Sequence, residues 1–100
     1  FDGANIMTKN NIIHYYNAMG TSYLRKKDFP TAIQIYKQGL KDTGNNAKVL
    51  ENNLKVSYYN YAVSEYNSRR YNNAYTISEE ALKLFPNDRD FIRLQTSIPK

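Results

Sequence analysis

Cysteine and tryptophan are absent from this chain of 100 residues, which has only four glycines and three prolines. Without cysteine no disulfide bond can stabilise the fold, and the same absence is compatible with the cytosol, the periplasm or the exterior, so it predicts no compartment. No apolar run approaches the roughly eighteen residues of a membrane-spanning helix, and no charged stretch leads into an apolar one as in a signal peptide. We therefore expect neither a membrane span nor a signal peptide, and a single domain with one modest core.

Patterns typical of catalysis and metal binding are also missing. The single histidine, His14, has no carboxylate at helical spacing, so it forms neither half of a metal pair nor an evident general base. Glu79 and Glu80 are adjacent and face different directions on a helix, which argues against a carboxylate dyad. No Gly-rich phosphate loop, nucleophile elbow or zinc-binding spacing occurs. We expect a protein that is not an enzyme and that holds no cofactor or metal.

Acidic residues are fewer than basic ones, and the formal net charge is +5. This surplus permits binding to nucleic acid, to an acidic membrane surface or to an acidic peptide. The basic residues are scattered, however, and the two tight groups, Arg25-Lys26-Lys27 and Arg69-Arg70, each lie at the end of a predicted helix. Cations there offset the negative end of the helix dipole. Nucleic-acid binding is therefore a less favoured alternative.

An internal repeat is the most informative feature that the chain does contain. Tyr15-Tyr16-Asn17 returns as Tyr58-Tyr59-Asn60, 43 residues later, and apolar and small residues around it recur at the same offset. After Tyr66 the offset becomes 42, which we attribute to one residue missing from the turn of the second copy, where insertions and deletions are tolerated. Self-similarity at this period predicts stacked helical hairpins.

Apolar residues at steps of three and four predict two amphipathic helices in each copy. Asp28 is placed to cap the second helix, and Pro30 falls in its first turn, where a missing N–H has no consequence. Gly44 can adopt the left-handed conformation that closes this helix, and Pro86 ends the counterpart in the second copy.

A last helix is predicted over about 88–98, with Asp88 as its cap and Phe91, Leu94 and Ile98 on its apolar side. Two interpretations are open, a capping helix that covers the end of the stack or the first helix of a truncated third repeat. Pro99 and the lack of a third Tyr-Tyr-Asn favour the cap.

The spacing of these residues resembles that of the tetratricopeptide repeat, a helix–turn–helix unit of 34 residues. In the first copy the resemblance is carried by Tyr16, Met19, Gly20, Tyr23, Phe29, Ala32, Tyr36 and Leu40. In the second, looser copy it is carried by Tyr59, Ala62, Val63, Tyr66, Tyr71, Ala74, Ala81, Leu82 and Pro86. There Val63 replaces the small glycine and Ser78 replaces an aromatic residue. The resemblance implies an all-α solenoid, a right-handed superhelix of two hairpins over about 4–44 and about 46–86 with the C-terminal capping helix.

The repeat is nine residues longer than that of the family, and the extra residues lie in 47–55. This stretch has no glycine or proline and places Val49, Leu50 and Leu54 on one side. We therefore expect a helical extension of roughly 13 Å in the first helix of each hairpin. In the first copy that helix is predicted to begin near Ala4 or, alternatively, at Thr8.

The ten tyrosines suggest stacking on nucleic-acid bases, but most of them occupy positions that pack in the family, where the ring fills the hairpin core. Those positions are Tyr16, Tyr23, Tyr36, Tyr59, Tyr66 and Tyr71. The remaining four are not explained by packing, and one or two of them are candidates to face a partner. These are Tyr15, Tyr58, Tyr61 and Tyr75.

In the family the first helices line a concave groove, so the resemblance implies that ligand contacts come from their non-packing positions. The predicted partner-binding residues are His14, Asn17, Thr21, Arg25, Asn60, Ser64 and Asn67, with Leu24, Ser57 and Ser68 at further groove positions. Asn and Ser side chains donate and accept hydrogen bonds, which suits the backbone of an extended peptide. The basic residues of a carboxylate clamp are missing, with Arg93 as the one candidate, so we do not predict such a clamp.

We therefore expect a scaffold that binds a peptide or helix of a partner protein. Because the chain begins with Phe1 rather than Met, we also expect it to be part of a larger protein or complex. The alternative function is self-association into homo-oligomers, with Ile6 and Met7, or Phe91 and Ile98, docking on another copy.

Overall fold

A computed structural model describes residues 8–99 as an all-α protein with five helices and no strand within that range. The helices are α1 (Lys9–Arg25), α2 (Phe29–Asp42), α3 (Lys48–Asn67), α4 (Tyr71–Leu84) and α5 (Arg89–Ser97). The all-α prediction is confirmed, and so is a helix in each segment where the apolar periodicity predicted one.

The chain divides into two compact units, and the division falls inside α3, after Leu54. Unit 1 contains α1, α2 and the start of α3. Its buried residues are Gly20, Phe29, Ala32, Ile33, Tyr36, Gly39, Ala47, Leu50 and Leu54. Unit 2 contains the remainder of α3 with α4 and α5. Its buried apolar residues are Tyr58, Ala62, Ala74, Ile77, Ala81, Phe91, Leu94 and Ile98.

The first helix begins at the later of its two predicted starts. Thr8 has an extended backbone and its side-chain oxygen accepts a hydrogen bond from the Asn11 N–H at 3.2 Å, which is the geometry of an N-cap. The alternative start near Ala4, and with it Ile6 and Met7 as an apolar end, lies outside the described residues.

The ends of α2 follow the local chemistry predicted for them. The Asp28 carboxylate accepts a hydrogen bond from the Thr31 N–H, and Pro30 lies in the first turn. At the other end Gly44 has a φ of +65°, and the Asn45 N–H donates to the Leu40 carbonyl at 2.7 Å. A left-handed residue followed by such a bond closes the last turn of a helix.

The turns after α1 and α3 have the same conformation. Lys27 and Arg69 both have a φ of +62°, although neither is glycine. The Asp28 N–H then donates to the Tyr23 carbonyl at 3.0 Å, and the Arg70 N–H donates to the Glu65 carbonyl at 2.9 Å. The equivalent residues of the two turns are therefore 42 positions apart, and Glu65 rather than Tyr66 is the counterpart of Tyr23.

Close packing in the two hairpins gives the same offset. In unit 1, a methyl group at Gly20 would lie 2.5 Å from Cε1 of Tyr36. The two helices are therefore so close here that only glycine fits without a shift. In unit 2 the residues 42 positions later, Ala62 and Ser78, are both completely buried. The prediction that Val63 takes the place of the small glycine is wrong, because Ala62 does. The offset of 42 therefore already holds before the turn, and the predicted loss of one residue in the turn is wrong.

The extra residues of the repeat are helical, as predicted. Nearly all of 47–55 belongs to α3, which is 20 residues long. Within unit 1, Ala47, Leu50 and Leu54 are buried. The δ1 carbon of Leu50 would lie 2.7 Å from a methyl group placed on Gly39. The extension of α3 therefore packs on α2 as part of the core of unit 1.

The last helix, α5, begins where it was predicted. The Asp88 carboxylate accepts hydrogen bonds from the N–H groups of Asp90 and Phe91. The Phe91 ring is buried and meets the edge of the Tyr59 ring, with 5.8 Å between the ring centroids. The Tyr66 hydroxyl donates to the Ser97 carbonyl at 3.3 Å. These contacts attach α5 to α3 in unit 2.

Candidate binding surfaces on the first helix of each hairpin

The predicted site residues of the first copy line one open depression on α1, with a volume of about 550 Å³. We call it the α1 depression. Its lining includes His14, Asn17, Thr21, Ser22, Arg25 and Lys26. The four residues predicted in this copy are therefore brought together, because steps of three and four keep their side chains on one face of a helix.

Two of the four are held by hydrogen bonds within unit 1. The Asn17 side-chain oxygen accepts from the amide nitrogen of Asn53 at 2.5 Å, and the hydroxyls of Thr21 and Tyr36 are 2.9 Å apart. Both side chains are half-buried, whereas His14 and Arg25 are exposed. Asn17 and Thr21 are thus held in place by hydrogen bonds, and the exposed side chains of His14 and Arg25 lie on the same surface.

The depression is electropositive. Arg25 and Lys26 line it, and neither forms an ion pair with a carboxylate among residues 8–99. Lys26 extends over the Tyr23 ring, with its Nζ 5.3 Å from the ring centroid, a cation–π contact that restrains the cation without neutralising it. None of the side chains that line the depression is acidic.

In unit 2, the predicted residues Asn60, Ser64 and Asn67 lie on α3 and are exposed. Their steps of four and three place them on a common face of the helix. Ser57, which was predicted at a further groove position, is completely buried. That prediction is wrong, because the second copy is in register with the first at an offset of 42 and not 43.

The corrected register identifies two residues that the sequence analysis missed. Val56 and Tyr59 are the counterparts of His14 and Asn17, and they are 44% and 38% exposed. At the offset of 43 Val56 would correspond to Ile13, and Tyr59 was placed in the core. A sequence signal could have found them. Leu54, Tyr58 and Ala62 recur at steps of four and form the buried face of α3, which leaves Val56 and Tyr59 on a different face. The outward face of α3 is therefore more apolar than that of α1.

The tyrosines divide between core and surface in a partly different way from the prediction. Tyr36 and Tyr58 are the fully buried ones in the described range, so Tyr58 takes the core position predicted for Tyr59. Tyr15 and Tyr75, which packing did not explain, are exposed. Tyr59 is also exposed, and the remaining five are half-buried, as with Tyr66 and Tyr71, whose rings meet edge to face at 5.4 Å. The half-buried set is Tyr16, Tyr23, Tyr61, Tyr66 and Tyr71.

A buried carboxylate fixes the turn between α3 and α4. Glu65 accepts hydrogen bonds from the Arg70 guanidinium at 2.8 Å and from the Asn73 amide at 3.2 Å. The hydrogen bond from Arg70 holds the pKa of Glu65 below its usual value, and the bond from Asn73 acts in the same direction while burial opposes both. Arg70 was predicted to offset the helix dipole, but it also has this specific partner.

A second carboxylate links α1 and α2 at the surface. The Tyr16 hydroxyl donates to Asp42, and the Gln38 amide donates to the same carboxylate at 2.8 Å. These hydrogen bonds lower the pKa of Asp42, and the bond to Asp42 raises the pKa of Tyr16. The contact ties the middle of α1 to the end of α2.

Three other kinds of feature that residues 8–99 could contain are a metal site, a membrane span and a surface for self-association. Residues 8–99 contain no group of three or more acidic, histidine or cysteine side chains that could hold a metal, and none of their helices has the length and hydrophobicity needed to span a bilayer. Phe91 and Ile98, predicted as a docking surface for self-association, are only 1% and 9% exposed. Both residues belong to the core of unit 2, because the apolar side of α5 is buried within that unit.

Comparisons with protein-family models, with curated proteins and with solved structures found no significant match for this chain.

Proposed function

We propose that this chain is a protein–protein interaction scaffold of the tetratricopeptide-repeat type, a right-handed superhelix of two hairpins with a C-terminal capping helix. In this proposal the outward face of α1 in unit 1 and that of α3 in unit 2 are each a binding surface for an extended peptide of a partner protein. The observation that carries it is the α1 depression, where His14, Asn17, Thr21 and Arg25 line one open surface.

The corrected register supports the family assignment. The family pattern places an aromatic residue, then Leu-Gly, Tyr, Ala, an aromatic residue and Pro at fixed spacing. With an offset of 42, the second copy supplies Tyr58, Tyr61, Ala62, Glu65, Ala74, Ser78 and Pro86. The small residue at the close approach is restored as Ala62, Glu65 becomes a new departure, and Ser78 remains one.

Side-chain chemistry supports peptide recognition. The face of α1 offers hydrogen-bond donors and cations, while Val56 and Tyr59 expose apolar surface on α3. An extended peptide presents both unpaired backbone groups and alternating side chains. A peptide segment with polar or charged residues would match the face of α1, and a segment with apolar residues would match the face of α3.

A peptide-display library screened against the folded chain tests this proposal, followed by mapping of selected peptides through backbone amide chemical shifts. We expect the largest shifts on the outward faces of α1 and α3. Ala18 and Asn60 occupy equivalent positions 42 residues apart, and both are exposed. Ala18→Trp should weaken the binding of peptides that map to α1, and Asn60→Trp that of peptides that map to α3, in each case at least about tenfold, which corresponds to about 1.4 kcal/mol.

Gln34→Trp is the matched control, because Gln34 is exposed on α2 and outside both faces. It should leave binding unchanged. Tryptophan is neutral, so the three variants test steric blocking without altering charge. Selection of no peptide, or equal binding by all three variants, contradicts the proposed function.

A further inference from the structure

We propose that the α1 depression binds acidic side chains from an internal segment of the partner peptide. This inference rests on the proposed function and adds the chemical class of the ligand. It is carried by the juxtaposition of Arg25 and Lys26, two cations without carboxylate partners in residues 8–99, along a depression that no acidic residue lines.

Helix polarity alone does not account for the surplus charge. The carboxyl end of a helix carries a partial charge of about −0.5, and Arg25 and Lys26 contribute two full positive charges at that end of α1. Lys27 follows directly and adds a third. More than one positive charge therefore remains after the dipole is offset. A carboxylate of a ligand would meet an attractive field close to the surface.

Several of the hydrogen-bonding groups at the depression are donors that no protein acceptor among residues 8–99 is shown to use. The Asn17 oxygen is already occupied by Asn53, so the side chain offers its N–H₂ group, from which no bond is made to residues 8–99. Arg and Lys side chains are donors without acceptors, and the guanidinium fork of Arg25 matches a carboxylate in two parallel bonds. A ligand with acceptor oxygens fits this set, whereas a cationic ligand does not.

The length of the depression sets the size of the ligand. His14 and Arg25 both line it and are eleven residues apart on α1, which corresponds to roughly 16 Å along the axis. An extended chain advances about 3.3 Å per residue, so about five residues span this distance. Side-chain carboxylates provide the charge in this proposal, so the segment needs no chain terminus.

The test uses a fluorescein-labelled peptide of about eight residues in which glutamate alternates with serine. Both ends are blocked by acetylation and amidation so that no terminal charge contributes. A second peptide has every glutamate replaced by glutamine. Fluorescence anisotropy with the full chain at low salt should show binding of the glutamate peptide, and binding at least about tenfold weaker for the glutamine peptide, as expected for charge-assisted hydrogen bonds.

Arg25→Glu should weaken binding of the glutamate peptide by about tenfold or more. Arg69→Glu is the matched control, since it makes the same change in net charge at an exposed residue outside the depression. We expect it to alter binding by less than about twofold. Circular dichroism and urea unfolding of each variant establish that the fold is intact.

Equal loss in both variants overturns the inference, because binding would then follow net charge and not the depression. Equal binding of the two peptides also overturns it, although peptide recognition itself would stand. If neither peptide binds, acidic recognition is refuted, and the result of the display library decides the proposed function independently.

Discussion

At the scale of single residues, the contact between Gly20 and Tyr36 governs how closely α1 and α2 pack. Tyr36 is completely buried, and its ring carbons would lie 2.5–2.9 Å from a methyl group at Gly20. Glycine is otherwise unfavourable inside a helix, by about 1 kcal/mol relative to alanine. Its presence here is explained by the ring that occupies the space of a side chain.

Gly20→Ala should therefore destabilise the protein, by about 1–3 kcal/mol, because the buried ring has nowhere to move. Urea-induced unfolding measures the effect. In a Tyr36→Leu background, which removes the ring, the same substitution should be much less harmful, with a coupling of about 1–2 kcal/mol. Ser22→Ala, at an exposed position of α1, should change stability by less than about 0.5 kcal/mol. A stabilising Gly20→Ala would show that the close approach is absent.

At the scale of helices, the ends of the elements were the most predictable part of the fold. Asp28, Pro30, Gly44 and Asp88 each act within a few residues of their own position, so local chemistry determined the outcome. The register of the second copy was not predictable in the same way. Identical Tyr-Tyr-Asn triplets favoured an offset of 43, and a shift of one residue rotates every assignment on a helix by about 100°.

That rotation explains where the predicted site residues lie. The α1 residues were assigned in the first copy directly, so all four line one depression. The α3 residues were transferred by alignment, and the error placed Ser57 on the surface and left out Val56 and Tyr59. Burial of one helix face depends on its tertiary neighbours, which adjacent tyrosines of equal hydrophobicity cannot distinguish.

The turns that close α1 and α3 offer a second prediction at this scale. Lys27 and Arg69 adopt a left-handed conformation that is unfavourable for a residue with a Cβ by about 1–2 kcal/mol. Lys27→Gly and Arg69→Gly should each stabilise the protein by about 0.5–1 kcal/mol, after the greater freedom of glycine in the unfolded chain is subtracted.

Thermal unfolding of these two variants gives the measurement. Lys41→Gly is the control, because Lys41 is exposed in the last turn of α2 with ordinary helical geometry, where glycine should destabilise by about 0.5–1 kcal/mol. If all three variants lose stability, the left-handed turns do not form in solution.

At the scale of the whole molecule, two carboxylates couple stability to pH. Hydrogen bonds from Arg70 lower the pKa of Glu65, and those from Tyr16 and Gln38 lower the pKa of Asp42. Because each folded pKa lies below its unfolded value, the stabilisation is present above the unfolded pKa and is lost as the pH falls through the folded pKa. The chain should therefore lose stability below about pH 4.5.

Glu65→Gln removes the ionisable carboxylate that is buried in unit 2, and so measures its contribution to the pH dependence of stability. Its free energy of unfolding should fall less steeply between about pH 5 and pH 3 than that of the unmodified chain. Glu80→Gln is the matched control, since Glu80 is exposed and forms no ion pair among residues 8–99. Equal slopes for Glu65→Gln and the unmodified chain would remove Glu65 from the acid response.

The matched pairs at the hairpin contacts also have a consequence for folding. Two similar copies in one chain invite mispairing and domain swapping, which are common failures of repeat proteins. Tyr36 of α2 fits over Gly20, and Ala62 of α3 carries the additional methyl group that this ring would strike at such an approach. We expect this difference between the copies to favour pairing of Tyr36 with Gly20 of α1 over pairing of Tyr36 with the equivalent residue of α3, Ala62.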